Sequence, residues 1–154
     1  LCNKHNKKLV HISSDYIYSE SPSNAKESDI PVHIPNWYTY TKLLSDAYVE
    51  AACGSYLTIR TSFKVKPFVH THAWNDLIGN FDYVDKIATL IIELITKGAT
   101  GIFNVGTSPK SIYLLALETN PNVLKTFKKD KDIRPVDVTM NLDKMHNFLG
   151  NDKH

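Results

Sequence analysis

The sequence has few cysteines, no long apolar run and almost no excess of charge of either sign. Its 154 residues include only two cysteines, Cys2 and Cys53. These are too few for a disulfide framework or a zinc site, so we expect reduced thiols in a cytoplasmic protein. No apolar run approaches the roughly 18 residues that a membrane span needs. The 18 basic and 16 acidic side chains leave a net charge of +2, which argues against a protein that binds nucleic acid by neutralising its phosphates.

The order of the predicted elements is typical of an α/β protein with a parallel sheet. Residues 9–13 are a short apolar run with a β-branched bias, which predicts a buried strand. An amphipathic helix at residues 36–53, capped by Asn36, leads into a second strand at residues 56–60. The remaining predictions are an irregular loop at 19–35, an irregular aromatic segment at 61–81, a helix capped by Asp82 and ending near Lys97, a strand at 101–105, a helix capped by Ser111, a charged loop at 127–135, a short strand at 136–140 and a helix capped by Asn141.

Tyr38 and Lys42 form the most informative pair in the sequence. Their i,i+4 spacing places both on one face of the predicted helix. A nearby ammonium lowers the pKa of a tyrosine, and the positive end of the helix dipole acts in the same direction. Such a tyrosine can serve as a general acid or base near neutral pH. The pair alone is weak evidence, because a chain with eight tyrosines and this many lysines contains about one such pair by chance.

The residues that precede the pair strengthen this signal. Ser13 and Ser14 follow the first predicted strand, at the edge of a parallel sheet where ligands bind. A hydroxyl there can donate a hydrogen bond to a substrate carbonyl beside Tyr38, although serines at a strand end also satisfy their own backbone. A strand ending in hydroxyls, an acidic loop with prolines and a helix opening with Tyr-x-x-x-Lys form a much rarer combination than the pair alone.

In these features the sequence resembles the extended short-chain dehydrogenases/reductases, most closely the dTDP-4-dehydrorhamnose reductase branch. The matching segments are Ile12 to Tyr18, Glu27 to Pro31, Pro35 to Lys42, Arg60 to Phe63, Tyr83 to Asp85 and Gly101 to Gly106. The match covers most of this chain but only the C-terminal half of such an enzyme. It implies an α/β fold in which residues 1–60 form the C-terminal part of a Rossmann-like doubly wound parallel sheet. Residues 61–154 would then complete the sheet and bind substrate.

The resemblance also implies a role for individual residues. Ser14 would hold the keto oxygen of a sugar, Tyr38 would protonate that oxygen as hydride arrives, and Lys42 would bind the nicotinamide ribose and tune Tyr38. The other implied site residues are Ser13, Arg60, Thr61 and Ser62 for the cofactor, and Asp15, Tyr16 and Trp74 for the substrate. No metal is implied, because His70 and His72 have no partners at ligand spacing and are better explained as part of a solvated loop.

The function implied by the resemblance is reduction of a nucleotide-linked 4-keto-6-deoxy sugar with NADPH or NADH. A homodimer through the helix bearing Tyr38 is implied as well, with neither nucleic acid nor a membrane as a partner. Two alternatives remain open. The chain could belong to a nucleotide-sugar epimerase or dehydratase, or to a non-catalytic regulatory subunit that binds a dinucleotide and a partner protein.

The sequence departs from the family in its glycines. The loop Gly-x-x-Gly-x-x-Gly, which cradles the cofactor phosphates, does not occur among its six glycines. Gly98, Gly101 and Gly106 follow a predicted helix and precede or follow a strand, which is the reverse of the order that places a pyrophosphate at a helix N-terminus. We therefore expect that this stretch does not bind a dinucleotide by itself, and that the chain, which begins with Leu1, is part of a longer protein.

Overall fold

The computed structural model describes residues 1–129 and 131–150. Asp130, which belongs to the predicted charged loop, and residues 151–154, which end the region 61–154, lie outside the described residues. The elements are β1 (Leu9–Ile12), α1 (Trp37–Ala52), β2 (Tyr56–Arg60), β3 (Phe63–Lys64), β4 (His72–Trp74), β5 (Ile78–Gly79), β6 (Asp82–Tyr83), α2 (Val84–Thr96), β7 (Gly101–Asn104), β8 (Lys110–Ser111), α3 (Ile112–Leu117), β9 (Leu124–Thr126), β10 (Asp137–Val138) and α4 (Asp143–Leu149), with 3-10 turns at Asn3–His5 and Asp15–Tyr18.

The main sheet has three parallel strands in the order β1-β2-β7, which confirms the predicted α/β class. Each strand is joined to the next by a segment that contains a helix, as parallel pairing requires. Buried apolar side chains of β2, β7, α2 and α4 form a first cluster, which includes Leu57, Ile59, Leu94, Phe103 and Met145. Within the described residues, no helix combines the length and apolar character of a membrane span.

Strand β1 is less buried than the sequence predicts. The prediction of a strand is correct, but Val10 and Ile12 are each more than a third exposed. Among the described residues β1 pairs only with β2, so it is an edge strand of this sheet. A run of apolar residues predicts burial on both faces, and an edge strand does not provide it.

Helix α1 begins where the sequence predicts and is tied to the sheet by a buried polar network. The side chain of Asn36 accepts hydrogen bonds from the backbone N–H of Thr39 (2.8 Å) and from its hydroxyl (2.9 Å). Further along the helix, buried Asp46 accepts from Arg60 Nε on β2 at 3.1 Å and lies 3.2 Å from His11 Nε2 on β1. These contacts fix the position of α1 over the ends of the two strands.

Residues 61–81 are more regular than the sequence predicts. They contain β3, β4 and β5, which pair respectively with β6, with β9, and with both β8 and β10. These strands have two or three residues each, too few for an alternating pattern to show in the sequence. Together with α3 they enclose a second apolar cluster, which includes Phe68, Leu77, Phe81, Tyr83 and Leu115.

Two of the predicted helix caps are wrong, while the cap at Ser111 is confirmed by its bond from the Leu114 N–H. Helix α2 begins after Tyr83, because Asp82 belongs to β6 and its carboxylate binds Lys110 and Lys86. Helix α4 has Leu142 at its N-cap position, so Asn141 lies one residue earlier and binds the N–H of Asp143.

The predicted irregular loop at residues 19–35 has neither helix nor paired strand beyond one isolated bridge, between Ala25 and Met140. It is nevertheless anchored to the sheet, since Glu27 Oε1 accepts from the N–H of Asn104 at the end of β7 (2.9 Å). Loops of this length are often functional, for example in ligand binding. This one connects the end of β1 to the start of α1, and therefore links the two segments that carry Ser14 and Tyr38.

Candidate active site

A pocket of about 320 Å³ lies at the carboxyl ends of β1 and β2, which is the edge where parallel sheets bind ligands. It is lined by Ile12, Ser13, Ser14, Asp15, Tyr16, Tyr38, Lys42, Thr61, Ser62, Phe63 and Lys64. We call it the first pocket. The structure thus brings together all the predicted site residues except Arg60 and Trp74.

Tyr38 and Lys42 lie one turn apart at the start of α1, on the side that faces the pocket. The Tyr38 side chain is half exposed, so its hydroxyl is not enclosed in the protein interior. Lys42 Nζ lies 5.9 Å from the centre of the Tyr38 ring and donates to the carbonyl of Ile12 at 3.0 Å. The ring of Tyr16 meets that of Tyr38 edge to face, with centroids 6.2 Å apart. Lys42 therefore fastens the tyrosine-bearing turn to the end of β1.

Ser14 and Asp15 are both buried at the foot of the pocket. The Ser14 hydroxyl donates to Asp15 Oδ1 (3.3 Å) and accepts from the Tyr16 N–H (3.2 Å). Burial raises the pKa of Asp15 to about 7, although the charge of Lys64 and the bond from Ser14 act against this. Burial and the charge of Asp15 also raise the pKa of Tyr16. The pocket therefore contains an acid that changes charge near neutral pH, which the sequence did not reveal.

Two further hydroxyls lining the pocket are buried. Ser13 Oγ and Thr61 Oγ1 have no hydrogen-bond partner among the residues that the structure describes. Buried polar groups are normally satisfied, so bare hydroxyls in a pocket are suited to a polar ligand. Both hydroxyls line the first pocket together with Lys42. The sequence has no glycine-rich loop of the kind that cradles a pyrophosphate.

Arg60 and Trp74 do not line the first pocket. The guanidinium of Arg60 is buried in the network below the sheet edge, bound to Asp46 and to the hydroxyl of Tyr18. Its side chain supports α1 rather than facing the nicotinamide position that the resemblance implies. Trp74 stacks on the guanidinium of Arg134, 3.7 Å from the ring centre, at a neighbouring site.

This neighbouring site, the second pocket, has a volume of about 550 Å³ and shares Tyr16 and Lys64 with the first. Its remaining lining residues are Phe68, His70, Thr71, His72, Ala73, Trp74, Leu77, Ile112 and Arg134. Sequence reasoning missed Lys64 and Arg134. Lys64 is brought to the pockets by the pairing of β3 with β6, and Arg134 lies far along the chain, where no motif marks it.

The fold and this site define a Rossmann-like α/β domain with a polar pocket at the carboxyl edge of its sheet. Residues 1–66 match the family model of the RmlD substrate binding domain, which confirms the resemblance to dTDP-4-dehydrorhamnose reductases in that part of the chain. A comparison with curated protein sequences finds no match.

Several solved structures share the fold. A hypothetical dTDP-4-dehydrorhamnose reductase from Sulfolobus tokodaii is 24% identical with a TM-score of 0.77, over 98% of this chain and 62% of its own. The dTDP-4-dehydrorhamnose reductase from Bacillus anthracis, in complex with NADP, is 21% identical with a TM-score of 0.78, over 95% and 60%. MoeE5, in complex with UDP-glucuronic acid and NAD, is 18% identical with a TM-score of 0.70, over 97% and 60%. The chain thus spans about three fifths of the length of these proteins.

Proposed function

We propose that this chain carries the catalytic and sugar-binding part of an NAD(P)H-dependent reductase of a nucleotide-linked 4-keto-6-deoxy sugar. The observation that carries this proposal is the joint presence of Ser14, Tyr38 and Lys42 in one pocket at the carboxyl edge of the sheet. The match of residues 1–66 to the reductase family model supports it.

In this reaction the chain's residues handle the ketone oxygen and the proton. The Ser14 hydroxyl donates a hydrogen bond to that oxygen, and Tyr38 transfers its phenolic proton to the oxygen as the alcohol forms. The ammonium of Lys42 stabilises the phenolate that Tyr38 leaves behind. When bound, a reduced nicotinamide dinucleotide supplies the hydride. Ser13, Lys42, Thr61 and Ser62 are the residues of this chain that would hold its nicotinamide-ribose end.

The second pocket is suited to the nucleotide of the substrate. It adjoins the first through Tyr16 and Lys64, so one ligand can extend from the ketone site into it. Lys64 supplies positive charge for phosphates. The stacked pair of Trp74 and Arg134, whose guanidinium is held by Asp76 at 2.7 Å and Asp132 at 3.2 Å, supplies a flat surface for a base. The nucleotide-sugar and dinucleotide complexes of the similar structures point in the same direction.

The experiment compares Tyr38→Phe with Tyr40→Phe, a matched change on the exposed part of the same helix. Because this chain has no glycine-rich loop for the cofactor pyrophosphate, the assay uses a longer protein that carries this chain together with such a loop. In that protein we expect wild type and Tyr40→Phe to oxidise NADPH or NADH with a dTDP-4-keto sugar, measured as the loss of the reduced cofactor's absorbance. Tyr38→Phe should lower kcat by about a hundredfold to ten-thousandfold, since it removes the general acid. Equal rates for the two variants would refute the role of Tyr38.

The same assay separates the alternatives. Binding of nucleotide sugar and cofactor without turnover by wild type would support a non-catalytic regulatory subunit. An epimerised or dehydrated sugar product would support the epimerase or dehydratase. The rates with NADPH and NADH decide which cofactor is preferred.

A second copy of the chain is proposed as a partner, through the outer face of α1. Trp37, Tyr40, Leu44 and Tyr48 recur there at helical spacing, and each is at least half exposed. We expect a dimer in light scattering, and a monomer for Tyr48→Lys with unchanged helix content. A wild-type monomer would contradict this arrangement.

A further inference from the structure

The hydroxyl hydrogen of Ser14 is directed at a carboxylate and not at the pocket. Ser14 Oγ donates to Asp15 Oδ1 at 3.3 Å, and its own acceptor site is used by the N–H of Tyr16 at 3.2 Å. A hydroxyl has one hydrogen to donate. While Asp15 holds it, Ser14 cannot donate to the carbonyl oxygen of a substrate.

Asp15 is an unusual partner because it is itself incompletely satisfied. It is 1% exposed, and its Oδ2 has no hydrogen-bond partner within the part of the chain that the structure describes. An ionised carboxylate with one bare oxygen in such surroundings is costly, and a proton on Oδ2 removes that cost. The charged and titratable side chains that line the pocket with Asp15 are Lys64 on β3, Tyr38 and Lys42 on α1, and Tyr16. Lys64 is the cation that favours the ionised form of Asp15.

We propose that Asp15 is a positioning residue whose protonation decides whether the Ser14 hydroxyl donates to Asp15 or into the pocket. The consequence for a ketone rests on the proposed function, but the coupling between the two side chains does not. An ionised Asp15 accepts a charge-assisted hydrogen bond and keeps the hydrogen of Ser14. A neutral Asp15 is a weaker acceptor and leaves that hydrogen free to turn toward a substrate.

The two states differ in their effect on the reduction. Negative charge develops on the ketone oxygen as hydride arrives, and Ser14 and Tyr38 stabilise it. An ionised Asp15 withdraws one of these donors and places a like charge beside the oxygen. The neutral form is therefore the active form, and the reduction should slow as pH rises through the ionisation of Asp15.

Carbon-13 NMR of the full chain tests the coupling without requiring turnover. The side-chain carboxyl carbon of Asp15 and the β-carbon of Ser14 are followed from pH about 4 to about 9. We expect one shared midpoint near 7 in wild type. Asp15→Asn should abolish this step in the Ser14 signal. Lys64→Met should raise the Asp15 midpoint, while Lys66→Met, which removes an exposed lysine two residues away, should leave it unchanged.

A titration midpoint of Asp15 near the ordinary value of about 4 overturns the proposal. So does a Ser14 β-carbon signal that does not shift as Asp15 titrates. The pH dependence of kcat supplies the catalytic readout: above pH 7 the wild-type rate should fall about tenfold per pH unit, and that of Asp15→Asn should not. These rates are measured in the longer protein that also carries a glycine-rich loop, and absence of turnover there in every variant would refute the proposed reductase. It would leave the coupling to be decided by NMR.

Discussion

Single side chains that line the first pocket differ in their chemistry because they differ in burial. Tyr38 is half exposed at the pocket, whereas Asp15 is enclosed, with its pKa raised to about 7. Two groups with such different surroundings can divide the work, one transferring a proton and the other controlling where a hydroxyl points. The sequence places Asp15 just after a strand and Tyr38 at the start of a helix. Only the tertiary structure distinguishes their environments.

Asp15→Asn should change the pH dependence of stability. The raised pKa means that the folded chain keeps a proton that the unfolded chain releases between pH about 4 and 7, so wild-type stability falls as pH rises through that window. The asparagine variant lacks this fall. Relative to wild type it should gain up to about 4 kcal/mol in free energy of unfolding between pH 4 and pH 8, as urea denaturation can measure.

The control for this prediction is Asp29→Asn, since the Asp29 side chain is at the surface. Its stability relative to wild type should stay within about 0.5 kcal/mol across the same pH range. If the free energies of unfolding of wild type and Asp15→Asn changed equally with pH, the pKa of Asp15 would be the same in the folded and unfolded chain.

At the scale of elements, periodicity explains which predictions succeed. α1, α2, β2 and β7 have a helical repeat or a compact apolar run, and they occur close to their predicted positions. The two-residue strands have no repeat to detect, and they form because loops on either side bring their backbones together. The cap at Asp82 failed for a related reason: its carboxylate is used by lysines from other elements. Local patterns therefore predict elements that are stabilised locally.

Asn36→Ala should destabilise α1. The side chain of Asn36 satisfies the N–H of Thr39, and alanine leaves that donor without a cap. We expect a loss of about 1 kcal/mol in the free energy of unfolding by urea titration. Asn36→Ser keeps a capping oxygen and should recover most of this loss. If serine and alanine were equally destabilising, the cap would not contribute to the stability of the helix.

At the scale of the whole molecule, the site depends on two separate apolar clusters. The first supports the sheet whose edge carries the first pocket, and the second contributes Phe68, Leu77 and Ile112 to the second pocket. The sequence predicted that Ser14, Tyr38 and Lys42 meet, because strand and helix geometry over 30 residues bring them together. It could not predict that Lys64 and Arg134 reach the pockets, because that depends on how the chain returns between the clusters.

Gly106 follows Val105 of the first cluster and lies against Asn80, which precedes Phe81 of the second, so its replacement tests the contact between these two segments. A Cβ at this position would lie 2.2 Å from the carbonyl oxygen of Asn80, and the backbone there cannot yield without disturbing other bonds. Asn80 accepts from the N–H groups of Thr107 and Met140, at 2.8 and 2.7 Å, and so links the end of β7 to the chain after β10. Gly106→Ala should therefore lower the free energy of unfolding by about 1–3 kcal/mol.

The control is Gly54→Ala, whose new Cβ would meet nothing closer than 3.8 Å. Its free energy of unfolding should remain within about 0.5 kcal/mol of wild type. Equal stability of the two variants in urea denaturation would mean that the clusters tolerate separation, and that the two pockets are not held together by this contact.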